Sequence, residues 1–159
     1  MVAGSRSAPD HWERGGSGDD FAVTLNLLAE SVVEERPSWT LAVNRNQDLL
    51  GKTMLVLRRH CHAVIDIAPD EWALLRDELR RIVHALDRLF HPDQFNFAFL
   101  MNLDSQVHLH VVPRYRSSRR WHDQTFTDQH WGEAFGREQR LLPSPQLHLL
   151  ANEIRSHLP

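Results

Sequence analysis

Gln106, His108 and His110 occupy alternate positions in the stretch Gln106-Val107-His108-Leu109-His110-Val111-Val112-Pro113. The residues between them, Val107, Leu109 and Val111, are apolar and mostly β-branched, as in a half-buried strand. Alternate side chains of a strand point to opposite faces, so the carboxamide and both imidazoles are expected on one face, the imidazoles about 7 Å apart. Polar groups on a core-like strand cost desolvation unless each finds a partner, which marks this row as a place for chemistry. A neutral imidazole is a competent nucleophile near neutral pH, and the bond made by one ring nitrogen decides which nitrogen is left to attack. His108, flanked by the other two polar groups, is the candidate nucleophile. His110 is placed to donate a proton or a hydrogen bond to a departing oxygen. Arg114, Arg116, Arg119 and Arg120 follow closely, and guanidinium groups suit bidentate phosphate recognition. A nucleophilic histidine beside phosphate-binding groups points to phosphoryl or nucleotidyl transfer. Two other readings compete. The histidines could be satisfied by backbone groups alone, or His60 and His62 could join His108 and His110 around a metal, although no carboxylate or second cysteine sits at a telling spacing.

The elements that must carry this row are legible from periodicity. Residues 31–34 and 38–44 read as two strands joined by a turn at Glu35-Arg36-Pro37. A polar connection over 44–51 ends in Gly51, and Thr53-Met54-Leu55-Val56-Leu57 is an apolar run of strand length. From Pro69 to Phe90 the period changes: Trp72, Leu75, Leu79, Ile82, Leu86 and Leu89 recur at spacings of three and four, one buried helical face. Pro69 suits the first turn, Asp70 and Glu71 complement the helix dipole, and His91-Pro92-Asp93 stops the helix. Trp72 and the leucine stripe are expected in the core. Residues 95–101 read as a strand, and the short connection 102–105 favours an antiparallel hairpin into the histidine strand. Beyond Tyr115 the chain reads as basic and irregular, with Trp121 and Trp131 as anchors, before a last amphipathic helix over 146–158 bearing Leu147, Leu150 and Ile154. The order implies an α+β domain with helices packed on an antiparallel sheet.

Composition bounds the rest. A chain of 159 residues, 42% apolar and 25% charged, fits one domain with a real core. A formal net charge of −3 argues against general nucleic-acid binding. The single cysteine, Cys61, rules out a disulfide framework. No apolar run approaches a membrane span and no signal pattern opens the chain, so a reducing cytoplasm is the expected compartment. Residues 1–20, rich in glycine, serine and charge, read as a disordered tail ahead of a domain over 21–159.

The histidine row resembles the signature of the histidine-triad (HIT) family, in which three histidines alternate with apolar residues. Upstream, Ser38-Trp39-Thr40-Leu41-Ala42-Val43-Asn44-Arg45 is similar to a strand of the fragile-histidine-triad branch that ends in a ribose-contacting asparagine. Residues 51–57 resemble that family's glycine-led strand, Pro69-Asp70-Glu71 the start of its long helix, and Val111-Val112-Pro113-Arg114 the end of its motif. The resemblance covers roughly 31–115, with Trp131-Gly132 similar to some bacterial members.

It implies a compact α+β HIT-like fold of about five antiparallel strands with one long helix and a C-terminal helix, commonly a homodimer. It also implies a nucleotide hydrolase or nucleotidyl transferase. His108 would attack the α-phosphorus to form a nucleotidyl-histidine that water then hydrolyses, with His110 near the phosphate oxygens. Asn44 would hold the ribose, while Asn102, Lys52 and Arg114 are the further nucleotide contacts. Diadenosine polyphosphates or adenosine 5′-phosphoramidate are the implied substrates. No cofactor is obligatory, no metal site is expected, and a divalent cation could accompany the substrate phosphates. Three departures stand out: Gln106 replaces the usual first histidine, Lys52 stands where many members have histidine, and Leu57 replaces a common proline. Glutamine still donates and accepts hydrogen bonds but does not titrate, so Gln106 could orient the row or mark a non-catalytic nucleotide-binding protein of the same fold.

Overall fold

The computed structural model describes residues 29–102, 104–135 and 139–159. The expected tail over 1–20, and most of the short apolar segment after it, lie outside the described residues. A 3-10 turn at Ala29–Ser31 leads into β1 (Val32–Glu35), β2 (Trp39–Val43) and β3 (Thr53–Leu57). After a second 3-10 turn at Val64–Asp66 come α1 (Pro69–Phe90), β4 (Gln94–Phe99) and β5 (His108–Arg114). The small strands β6 (Arg119–Trp121) and β7 (Gln124–Phe126) and the helix α2 (Ser144–His157) complete the chain. The five large strands pair antiparallel in the order β1-β2-β3-β5-β4, and β6 and β7 form a separate hairpin. The α+β architecture with a five-stranded antiparallel sheet and two helices is therefore the one expected.

Strand register sorts the side chains into two faces. Val56 pairs with His108, Met54 with His110 and Ala98 with His110. The histidines thus share a face with Met54, Val56 and Ala98. Leu41, Val43, Leu55, Leu57, Leu109 and Val111 fall on the other face, in one cluster with Leu75, Ile82 and Leu86 of α1 and Leu147, Leu150 and Ile154 of α2. Both helices therefore cover one side of the sheet and leave the imidazoles on the other. Helix α1 starts with Pro69 at its first position, and the Glu71 carboxylate accepts the Ala68 backbone N–H at 2.8 Å. Pro113 lacks a donor but lies past the last β3 pairing, Thr53 with Val111, so no ladder bond is lost on that side.

Four expectations need correction. Strand β5 starts at His108 rather than Gln106, because the Gln106 side chain and the Val107 N–H are tied to the loop leaving β3. The segment after Tyr115 is not irregular throughout: it holds the β6–β7 hairpin, whose strands of three residues are too short to show a period. Strand β4 runs over Gln94–Phe99, a residue or two earlier than read. Trp72 is 41% exposed, edge-on to Phe99 with ring centroids 6.0 Å apart, because it meets the sheet at its edge strand β4 rather than at its centre.

Candidate active site

His108 is 4% exposed, and its Nδ1 lies 2.7 Å from the Gln106 backbone carbonyl. A carbonyl oxygen only accepts, so in the neutral ring Nδ1 carries the proton and Nε2 keeps a bare lone pair. His110 is set the opposite way. The Asn44 carboxamide is oriented by the Asn46 backbone N–H, which donates to Oδ1 at 2.9 Å, so its Nδ2 donates to His110 Nδ1 at 3.4 Å. His110 therefore carries its proton on Nε2. The rings meet edge to face with centroids 4.9 Å apart. Burial first, then the neighbouring His108 and Lys52 charges, push the His110 imidazole down to about 4, so it stays neutral at physiological pH. One strand thus presents a bare nitrogen and a neutral N–H donor side by side.

Gln106 occupies the bend before β5 rather than the face of the row. Its amide donates to Leu57 O at 2.6 Å and Arg59 O at 2.8 Å, and its Oε1 accepts from Cys61 N at 3.2 Å. The side chain is 2% exposed. It staples the end of β3 to the segment bearing the carbonyl that fixes His108. The loop beyond is held in turn by Arg59, whose guanidinium makes a bidentate pair with Glu71 at 2.7 and 2.8 Å. That pairing and the Ala68 N–H hold the Glu71 carboxyl below its usual range.

The 44–52 loop positions the other side of the site. Gln47 was not singled out from the sequence, yet it is fully buried: its amide donates to Asn44 O and Lys52 O, and its Oε1 accepts from Gly51 N. Tyr115 donates its hydroxyl to Leu50 O at 2.7 Å. Lys52 is buried, with Nζ 2.6 Å from Asp48 Oδ1. A lone glutamine or aspartate in a polar connection has no periodic signature, so the sequence carried no signal for Gln47 or Asp48.

The remaining expected site residues are scattered. Asn102 lies exposed in the turn after β4. Arg114 is 3% exposed and its guanidinium is engaged throughout, by the Asp128 carboxylate, Asn96 Oδ1 and the carbonyls of Glu133 and His130. Expected to meet phosphate, it instead moors the 128–133 segment to the sheet. His60 and His62 stack edge to face in the loop after β3, with His62 Nδ1 3.3 Å from Ser105 O. Among the described residues no three His, Cys, Asp or Glu side chains converge as metal ligands. No helix among them is long and apolar enough to cross a membrane.

No family model and no curated protein sequence matches the chain. Solved structures do match. The fold is similar to that of a hypothetical histidine triad nucleotide-binding protein from Sulfolobus tokodaii strain 7, with a TM-score of 0.68 and 13% identity over 87% of this chain and 90% of that one. A histidine triad protein from Sinorhizobium meliloti 1021 gives a TM-score of 0.67 at 19% identity, over 84% of this chain and 93% of that one. One from Marinobacter aquaeolei VT8 gives 0.63 at 18%, with the same coverage. At these identities the likeness establishes the fold: an α+β sheet-and-helix domain of the histidine-triad type.

Proposed function

We propose that this chain is a nucleotide hydrolase or nucleotidyl transferase that cleaves at an α-phosphate through a covalent nucleotidyl-histidine. The observation that carries the reading is the 2.7 Å bond from His108 Nδ1–H to the Gln106 carbonyl, which in the neutral ring leaves the Nε2 lone pair as the fixed nucleophile. In the first step the Nε2 lone pair forms a bond to the α-phosphorus while the phosphorus bond to the leaving group breaks. The Nε2–H of His110 hydrogen-bonds the departing atom or a phosphate oxygen. In the second step a water oxygen, or another hydroxyl acceptor, attacks phosphorus and releases its proton to solvent, while the P–N bond breaks and its electron pair returns to His108 Nε2.

Within this reading the substrates are diadenosine polyphosphates or adenosine 5′-phosphoramidate. Asn44 and Lys52, beside His110, and Asn102 in the β4–β5 turn are the nucleotide contacts. Arg114 supports the scaffold. No cofactor is required, and a divalent cation would arrive with the substrate phosphates. A free buried thiol at Cys61 suits a reducing cytoplasm. The protein is further proposed to act as a homodimer, because β4 is an edge of the sheet and its Phe97 is 48% exposed.

Incubation with diadenosine tetraphosphate and with adenosine phosphoramidate tests the reaction. Release of AMP that His108→Ala lowers by several orders of magnitude is expected, together with an alkali-stable, acid-labile nucleotidyl adduct by mass spectrometry. Nucleotide binding with no turnover on either substrate overturns the enzymatic reading in favour of a nucleotide sensor.

A further inference from the structure

A cavity of about 240 Å³ lies away from the imidazoles, between the β6–β7 hairpin and the 44–52 loop, with Asp48, Thr125, Thr127, Gln129 and Arg140 in its wall. Arg140 is fixed in place. Its guanidinium carbon sits 3.7 Å over the Phe126 ring, Nη1 donates to Thr125 O at 2.7 Å and Nη2 to Gln124 Oε1 at 2.9 Å. Its backbone is tied to the 44–52 loop through Asn46 Oδ1 and Gln47 N. These bonds leave Nε–H and one hydrogen on each terminal nitrogen. Among the described residues, no carboxylate forms an ion pair with Arg140.

The two carboxylates in the wall are already neutralised. Asp48 holds Lys52, and Asp128 holds Arg114 and also accepts backbone N–H groups of Tyr115 and His130. Counting those partners, the cavity carries the uncancelled charge of Arg140. Threonine hydroxyls and the Gln129 carboxamide surround that cation with neutral hydrogen-bonding groups. A planar guanidinium with neutral donors around it suits a tetrahedral oxyanion, whose several oxygens use more donors than a carboxylate does.

We propose that this cavity binds a phosphate group, with Arg140 as its anchoring cation. The site is one ion pair away from the histidines: Asp48 lines the cavity and holds Lys52, whose ammonium is close enough to His110 to oppose protonation of that ring. Occupancy of the cavity therefore bears on the same loop that holds Asn44 against His110. The phosphate has two chemical sources, the far end of a polyphosphate substrate or free inorganic phosphate. Only the first of these rests on the reaction proposed above.

Titration of the 15N-labelled full chain with inorganic phosphate tests the binding. The expected result is saturable shifts of the Thr125, Thr127, Gln129 and His130 amides, retained in His108→Ala. Arg140→Gln should weaken the binding about tenfold or more, the loss of one charge-assisted partner. Because Arg140 also braces the hairpin, a second variant is needed. Gln129→Glu adds a negative charge to the wall while leaving the Arg140 stack and its bonds in place, and it should weaken binding similarly. Shifts confined to the neighbourhood of His108 and His110, or a titration indifferent to both variants, would overturn the proposal. Steady-state kinetics separates the sources. If the phosphate belongs to substrate, Arg140→Gln raises KM for diadenosine tetraphosphate and not for adenosine phosphoramidate. If it is free phosphate, added phosphate changes turnover of both substrates in the native protein and of neither in the variant.

Discussion

An imidazole bonded through Nδ1 to a carbonyl has one place left for chemistry, and the partners of His108 and His110 give the two rings opposite tautomers. The glutamine at the start of the motif serves this division through its backbone oxygen, while its side chain secures the loop leaving β3. Gln106→Ala strands two carbonyls and an N–H in a buried corner and is expected to cost about 2–4 kcal/mol, read by urea denaturation. Gln106→Glu should be at least as damaging at neutral pH, because a carboxylate accepts but does not donate to Leu57 O and Arg59 O.

His110 gives a pH signature. Its folded value near 4 lies below the unfolded value near 6.5, so between those limits the unfolded chain binds the proton more readily. Its contribution is complete above about pH 6.5 and is lost as pH falls toward 4, by up to about 3 kcal/mol. Unfolding free energies at pH 7.5 and 4.5 should show this loss in the native protein and a smaller one in His110→Gln.

At the scale of elements, the loop between β2 and β3 does as much for the site as the strands do. It closes because Gln47 fills its centre and because Gly51 takes a left-handed φ of +82° against α1. A Cβ at Gly51 would meet Phe90 Cδ2 at 3.0 Å and Leu86 Cδ2 at 3.2 Å. Gly51→Ala therefore combines backbone strain with crowding and is expected to cost about 1–3 kcal/mol. Each kcal/mol should lower the melting temperature by about 2–4 °C for a chain of this size. The strain falls where the loop meets α1, so the Asn44 contact to His110 should loosen with it, visible as a change in the His110 ring signals.

For the whole molecule, the helices take one face of the sheet and leave the other to the imidazoles, while β4 is left as an edge. Phe97 on that edge stacks on Phe95 with one side and leaves 48% of its surface exposed. Under the dimer proposed above, Phe97→Asp places a charge in the contact. Sedimentation should then shift from twice the chain mass to the 18.5 kDa monomer with the far-ultraviolet spectrum unchanged. A native chain that already sediments as the monomer would end the dimer proposal.

The sequence by itself determined the elements with strong periods and the shared face of the two alternate histidines. The α1 stripe and the β3 run gave their bounds, 69–90 and 53–57, because each has a repeat set by one buried face. The alternation around His108 and His110 placed both rings on one face for the same reason. Tertiary structure decided the rest. Arg114 reads as a phosphate ligand in the chain and becomes a brace, since Asn96 reaches it from the neighbouring strand β4, and Asp128 and two carbonyls reach it only after the β6–β7 hairpin folds back. Gln47, Asp48 and Arg140 carry no spacing of their own, and their roles come from partners brought together across the fold. Periodicity records which face of an element is buried. It does not record which polar groups the fold will bring within bonding distance.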